Sequence, residues 1–285
     1  MFSTLENSKK WLLRLPSWLF ALVLVLYWRL HPHRPKVWVF PGRGRWLLRW
    51  RGYTSALTRP QALIAGDPPF QQDTRYFGIE PGEVVLDVGA CRGDFSIPAA
   101  RRVGKKGRVI AVEPEPQNLL FLRKAAAGLG NVRIVAKCAW RRAGRVRLNL
   151  SGSPGEHSVM RLGPQPVGSI EVEADTLDHM LEELRIKRVD FMKVDVEGAE
   201  LEVLEGAREV LKRTRKVVVE CHRLGRYLTW PFVRDLLEDA GFQTYVEDET
   251  VYAWRGEKPG KSESLLTIPS RSFLLRGSYG GSSCL

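Results

Sequence analysis

Two clusters of residues in this sequence could carry out chemistry together. The first is Val84-Val85-Leu86-Asp87-Val88-Gly89-Ala90-Cys91-Arg92-Gly93-Asp94-Phe95, an apolar β-branched run entering a glycine-containing turn and then a helical pattern from Phe95-Ser96. In an open α/β sheet, ligands sit beyond the carboxyl ends of the strands, beside such a turn. Gly89, Ala90 and Gly93 let backbone N–H groups approach a ligand closely. The helix start at Phe95 and Ser96 favours a nearby carboxylate. Asp87, at the strand end, suits an ammonium group, reached directly or through water. Twenty residues past Gly93 a second run ends Ala111-Val112-Glu113-Pro114. An acid there can accept both hydroxyls of a ribose.

A ligand with a carboxylate, an ammonium and a ribose meets all of these demands, and S-adenosylmethionine is one. The rival is a dinucleotide. Its G-x-G-x-x-G fingerprint accommodates a pyrophosphate, but here the spacing is Gly89-x-x-x-Gly93 and the middle glycine is missing. A phosphate-cradling G-x-x-x-x-G-K-[ST] loop is also absent from the sequence.

The second cluster is Asp190-Phe191-Met192-Lys193-Val194-Asp195-Val196-Glu197-Gly198-Ala199-Glu200, followed downstream by Val219-Glu220-Cys221-His222. Acids and a lysine at a strand-to-helix junction can orient an acceptor hydroxyl, complement a positive charge or bind a divalent ion. Asp195 and Glu197 are the metal candidates. His222 can act as a general base near neutral pH, with Glu220 orienting it. Glu197 and Glu200 also suit the first turn of a helix, and Asp178 a helix N-terminus, with no chemical role.

These blocks, with Asp175-Thr176-Leu177-Asp178, resemble the FkbM-type S-adenosylmethionine-dependent methyltransferases. The resemblance runs from about Val84 to His222, more weakly to Trp254. It implies an O-methyltransferase acting on a hydroxyl of a glycan, lipid-linked or small-molecule acceptor. It also implies cofactor contacts from Asp87, Gly89, Ala90, Gly93, Phe95, Ser96, Glu113, Pro114 and Asp195. Asp195, His222, Glu220 and Lys193 are the implied catalytic group. The sequence departs from the family at Cys91-Arg92, and Cys138-Ala139-Trp140 offers no acid to an adenine. Asp67-Pro68-Pro69-Phe70 matches an amino-methyltransferase motif but stands before the first strand, so it reads as a turn.

The elements that must hold these residues are legible as a pattern. Apolar runs at Val84–Val88, Val109–Val112, Val132–Val135, Phe191–Val194 and Val217–Glu220 alternate with helical spacing at Phe95–Arg102, Pro116–Gly128 and Ala199–Arg213. That alternation predicts an α/β domain over 61–256. Its architecture is a Rossmann-like, doubly wound, mostly parallel sheet, the class I methyltransferase fold. A hairpin of Val146–Leu150 with Ile170–Val172 interrupts it. A helix at Pro231–Ala240 and a pair Phe242–Val246 and Val251–Trp254 close it.

The formal charge of +12 is concentrated at one end. Residues 1–60 hold eleven Lys/Arg and one acid, and the rest is nearly balanced. The body therefore lacks the basic character of a nucleic-acid binder. A nucleic-acid methyltransferase using the basic arm, or an inactive cofactor-binding scaffold, are the alternative readings. Leu15–Trp28 is apolar, flanked by Arg14 and Arg29 and by interfacial Trp and Tyr; residues 37–53 mix Arg with Trp and Phe. Residues 11–53 thus read as a membrane-attaching segment that spans the membrane or lies in its headgroup layer, and the basic flank places the domain on the cytoplasmic side of a cell membrane. Four scattered cysteines suit a reducing compartment. Residues 257–285, rich in Ser and Gly, read as a loose tail. Oligomeric state has no signature in the sequence. Deleting residues 1–60 should release the protein from sedimenting membranes with binding of the cofactor retained; a deletion variant that still sediments contradicts the anchor.

Overall fold

The computed structural model describes residues 37–42, 45–50, 53–57, 73–74, 76–153, 155–160, 166–225 and 227–257, with the single residues 19 and 22. The chain forms two compact units, one built around Met1–Pro68 and one around Pro69–Ser262.

In the first unit, β1 (Val37–Gly42), β2 (Arg45–Trp50) and β3 (Tyr53–Leu57) form an antiparallel sheet in the order β1-β2-β3. Pairing of Gly42 with Arg45, and of Trp50 with Tyr53, leaves two-residue intervals, Arg43-Gly44 and Arg51-Gly52. An X-Gly interval between β-branched and aromatic runs is a hairpin signal. The segment whose Arg, Trp and Phe suit a headgroup layer thus contains backbone-paired strands at residues 37–42, 45–50 and 53–57. The apolar run Leu15–Trp28 (apart from Leu19 and Leu22), Asp67-Pro68-Pro69-Phe70 and the tail beyond residue 257 lie outside the described residues. Among the described residues no helix is long and apolar enough to cross a membrane.

The second unit follows the alternation read from the sequence: β4 (Val84–Val88), α1 (Ser96–Val103), β5 (Arg108–Val112), α2 (Pro116–Ala125) and β6 (Val132–Val135). Next come β7 (Cys138–Ala139), β8 (Gly144–Leu150), β9 (Gly168–Asp175), α3 (Leu177–Glu183) and β10 (Val189–Val194). The remainder is α4 (Glu200–Glu205), α5 (Arg208–Lys212), β11 (Thr214–Glu220), β12 (Arg223–Leu224), β13 (Tyr227–Leu228), α6 (Trp230–Asp239), β14 (Gln243–Glu247) and β15 (Thr250–Trp254). Seven strands pair in the order β14-β15-β11-β10-β4-β5-β6. The five central and outer strands β11, β10, β4, β5 and β6 are parallel, and β15 and β14 join antiparallel. From β4 the chain winds outward to β5 and β6, then returns to β10 and winds the other way to β11. The switch point therefore lies between β4 and β10, where connecting loops diverge and open a crevice.

Both faces of this sheet are covered, which is why its strands are unbroken apolar runs. Leu86, Val88, Ile110, Val112, Met192 and Val194 pack on one side with α3 to α6. Val85, Val109, Phe191 and Val218 pack on the other with Phe77, Phe95 and Tyr252, as the two-residue period of a strand requires. The hairpin of β8 and β9 forms as expected, with β7 added parallel to β9. The Ala199–Arg213 helix instead breaks at Gly206-Ala207. A Cβ on Gly206 would stand 2.2 Å from the Trp140 carbonyl oxygen, so the chain turns there. Asp178 then accepts the Glu209 and Val210 N–H groups at 3.1 and 2.7 Å, capping α5 rather than its own helix.

Candidate active site

The ends of β4 and β10 meet at the switch point. Asp195 N–H donates to the Val88 carbonyl at 3.0 Å, and Gly89 and Ala90 N–H both donate to Val112 at 3.0 Å. Gly89 has φ +84°, and a Cβ there would lie 1.8 Å from the Asp195 carbonyl oxygen. Only glycine fits. Gly93 closes the turn on Ala90 at 2.8 Å, and its missing side chain leaves room for Leu122.

Glu113 is fastened from both sides. Cys91 N–H donates to its Oε2 and Glu115 N–H to its Oε1, each at 2.8 Å. Burial pushes its carboxyl up to about 7 against the pull of those two N–H groups. A carboxylate oxygen accepts more than one hydrogen bond, so both oxygens keep capacity for ribose hydroxyls. Glu113 lines a cleft together with Gly89, Pro114, Asn118, Ala139 and Asp195.

Asp87 does not line that cleft. It is fully buried, and its Oδ2 accepts the Ser96 hydroxyl at 2.5 Å. Its Oδ1 has no hydrogen-bond partner among the described residues, and burial raises its pKa. A buried acceptor left over at this strand end fits an ammonium group or a bridging water. With the ribose-sized acid and the glycine turn, it makes the residues fit S-adenosylmethionine. Ser96 therefore serves Asp87. Phe95, expected to contact the cofactor, instead packs its ring on Phe191 at 5.8 Å in the core.

On the acceptor side the structure brings the expected residues together with one the sequence did not flag. Lys193 is buried, and its ammonium donates to Asp195 Oδ2 at 3.0 Å, with Asp73 at 4.0 Å. Burial alone would lower its pKa; Asp195, Asp73, Asp87 and Glu220 outweigh that and raise it well above its ordinary value. Asp73 is raised to about 7 by burial, opposed by Lys193. An isolated acid between β3 and β4 carries no periodicity or motif, so nothing in the sequence marks it.

His222 Nδ1 lies 2.8 Å from Glu200 Oε1, and its Nε2 is 3.4 Å from Glu197 and 3.9 Å from Asp195. Glu200, not Glu220, orients the ring. Burial would lower the His222 pKa, but the Glu200 hydrogen bond, with Asp195 and Glu197, lifts it to about 10. The ring is an imidazolium at neutral pH and acts as base only by way of a neighbouring carboxylate. Burial and Asp195 push Glu220 up to about 8. Asp195 and Glu197 line the cleft, while Lys193 and His222 contact these two rather than lining it. Glu197 holds φ +53°, a strained backbone for a non-glycine residue, next to Gly198 at +97°.

Asp195, Glu220 and His222 have ligand atoms within 4.8 Å of one another and could hold a divalent ion. Glu197, the other metal candidate, is not part of that group. The Lys193 ammonium already supplies positive charge to Asp195.

A sheet of this order with a cleft at its switch point is a Rossmann-like fold of the class I methyltransferase kind. Residues 87–244 match the family described as the methyltransferase FkbM domain, and the chain belongs to that family. The residues of its cleft fit S-adenosylmethionine as the methyl donor of such a domain. The chain is similar to the 2-O-methyltransferase NoeI of Sinorhizobium fredii, 26% identical over 156 residues, covering 50% of this chain and 64% of NoeI. Methyltransferase sdnD of Sordaria araneosa is 30% identical over 197 residues, covering 55% of this chain and 73% of sdnD. Hexuronic acid methyltransferase AglP of Haloferax volcanii is 29% identical over 154 residues, covering 50% of this chain and 57% of AglP. The chain thus spans less than two thirds of the length of NoeI and AglP.

Burial pushes the Glu113 carboxyl from an ordinary value of 4.5 up to about 7. Ribose hydroxyls need the ionised form, so binding below that pH must expel the proton. Calorimetric affinity for S-adenosylhomocysteine should therefore rise about tenfold between about pH 6 and 8. Glu113→Gln should be weaker throughout and lack the part of this rise that Glu113 supplies; an identical pH profile in the variant contradicts the assignment.

Proposed function

We propose that this chain transfers a methyl group from S-adenosylmethionine to a hydroxyl oxygen of a glycan or lipid-linked acceptor. The observation that carries the reading is the pair of carboxylates, Asp195 and Glu197, lining the cofactor cleft with the His222 ring at 3.9 and 3.4 Å from them. The bound donor supplies an electrophilic methyl on a sulfonium. The chain's part is to hold the acceptor oxygen in line with that carbon, the largest contribution available to a displacement of this kind. Asp195 takes the hydroxyl proton late in the step. His222 and Lys193 hold that carboxylate in place, and Glu200 fixes His222. The names of NoeI and AglP, a 2-O-methyltransferase and a hexuronic acid methyltransferase, support a sugar as acceptor.

The apolar run Leu15–Trp28 and the basic residues after it support attachment to a cell membrane, with the methyltransferase domain on the cytoplasmic side. That placement would bring the site close to lipid-linked acceptors.

Incubating the purified chain with methyl-labelled donor and an extract of membrane lipids and glycans tests the reading. The expected product is an alkali-stable methyl ether. Asp195→Asn should cut its formation by roughly a hundredfold or more while retaining S-adenosylhomocysteine binding within severalfold. Label released by mild alkali as an ester, label in nucleic acid, or an undiminished rate in Asp195→Asn contradicts it.

A further inference from the structure

The cleft has a wall that none of the motif residues provides. Gly155, His157 and Val159, from the segment joining β8 to β9, line it together with Glu113 and Asn118. This segment is built into the site. Ser158 pairs with Asn149 through two backbone hydrogen bonds of 2.8 and 3.1 Å. The Asn149 side chain donates to Ser158 and Met160 carbonyls at 3.1 and 3.3 Å. The Ser158 hydroxyl, itself buried, donates to the Glu197 carbonyl at 2.5 Å and accepts Met160 N–H at 2.9 Å. The arm is thereby fastened to the strained turn that carries the acceptor-side acids.

The His157 ring has a fixed tautomer. Ser151 N–H donates to Nδ1 at 3.0 Å. A nitrogen that accepts a hydrogen bond holds its lone pair there, so the ring proton is on Nε2. Burial lowers the His157 pKa, which keeps the ring neutral, with Glu115 and Arg92 the first charges to act on it. Those two residues belong to the same two turns that fasten Glu113: Arg92 follows Cys91, and both Cys91 and Glu115 donate their N–H to the Glu113 carboxylate. His157 lines the cleft with Glu113 and Asn118, and its charged neighbours place it on the Glu113 side.

We infer that His157 is a binding residue for the adenosine half of the cofactor, its Nε2–H donating to a ring nitrogen or ribose oxygen as the β8–β9 arm covers the nucleoside. The assignment rests on the methyl-donor reading of this cleft. It makes the arm a part of the cofactor site that the glycine turn and Glu113 leave open, and Ser158 the tie between nucleoside cover and acceptor turn.

Calorimetry on the full chain with S-adenosylhomocysteine and, separately, 5′-methylthioadenosine tests it. His157→Ala should weaken both ligands about tenfold by the same factor, because both contain the adenosine. His157→Gln, which keeps an N–H donor of similar reach, should restore most of the loss, with the thermal unfolding midpoint of both variants near that of the wild type. Unchanged affinity in His157→Ala, or equal losses in both variants together with a lowered unfolding midpoint, overturns the inference. A wild-type chain that takes up neither ligand overturns the cofactor reading itself, and this inference with it.

Discussion

The backbone of Gly89 passes so close to Asp195 that a Cβ at position 89 would stand 1.8 Å from the Asp195 carbonyl oxygen. Asp195 N–H, in turn, donates to Val88 at 3.0 Å. This approach brings the end of β4, which carries the cofactor turn, against the end of β10, which carries the acceptor-side acids. The doubly wound order makes it possible, because β4 and β10 are neighbours in the sheet though about a hundred residues apart in sequence. Glu113, Asp195 and Glu197 then line one crevice, with Asp87 buried behind it.

Convergence has an electrostatic cost that the molecule turns to use. Asp73, Asp87, Asp195, Glu197, Glu200 and Glu220 gather around the cations Lys193 and His222. Burial and mutual repulsion raise Asp73 to about 7 and Glu220 to about 8, and raise Asp87. Such a site favours a ligand that arrives with positive charge, and the ammonium and sulfonium of the methyl donor provide it. After transfer the sulfur is neutral, and that part of the attraction is lost with the methyl group.

The sheet was legible because every central strand is buried on both faces and reads as an unbroken apolar run; the helices between followed from their spacing. Glu113 and Gly89 were legible because their roles require a fixed residue type at a strand end. Three features were not. The break at Gly206 depends on the Trp140 carbonyl, 66 positions away in sequence, and a helical pattern is blind to that contact. Phe95 reads as a cofactor residue from its place in the turn, yet as the N-cap of α1 it packs its ring on Phe191. The orienting acid of His222 is Glu200, from the start of α4, where sequence proximity had suggested Glu220. Such pairings are set by tertiary distance. At the N-terminal end, alternating Arg and Trp suit an interfacial segment, and the X-Gly intervals carry the signal for the paired strands.

Hydrogen exchange on the full chain, with and without S-adenosylhomocysteine, tests the placement of the cofactor most directly. Ligand should slow the backbone amides of residues 89–93, 113–118 and 155–159 together, since these three segments wall one cleft. Protection confined to other segments, or none at saturating ligand, would contradict a nucleoside site at the ends of β4 and β5.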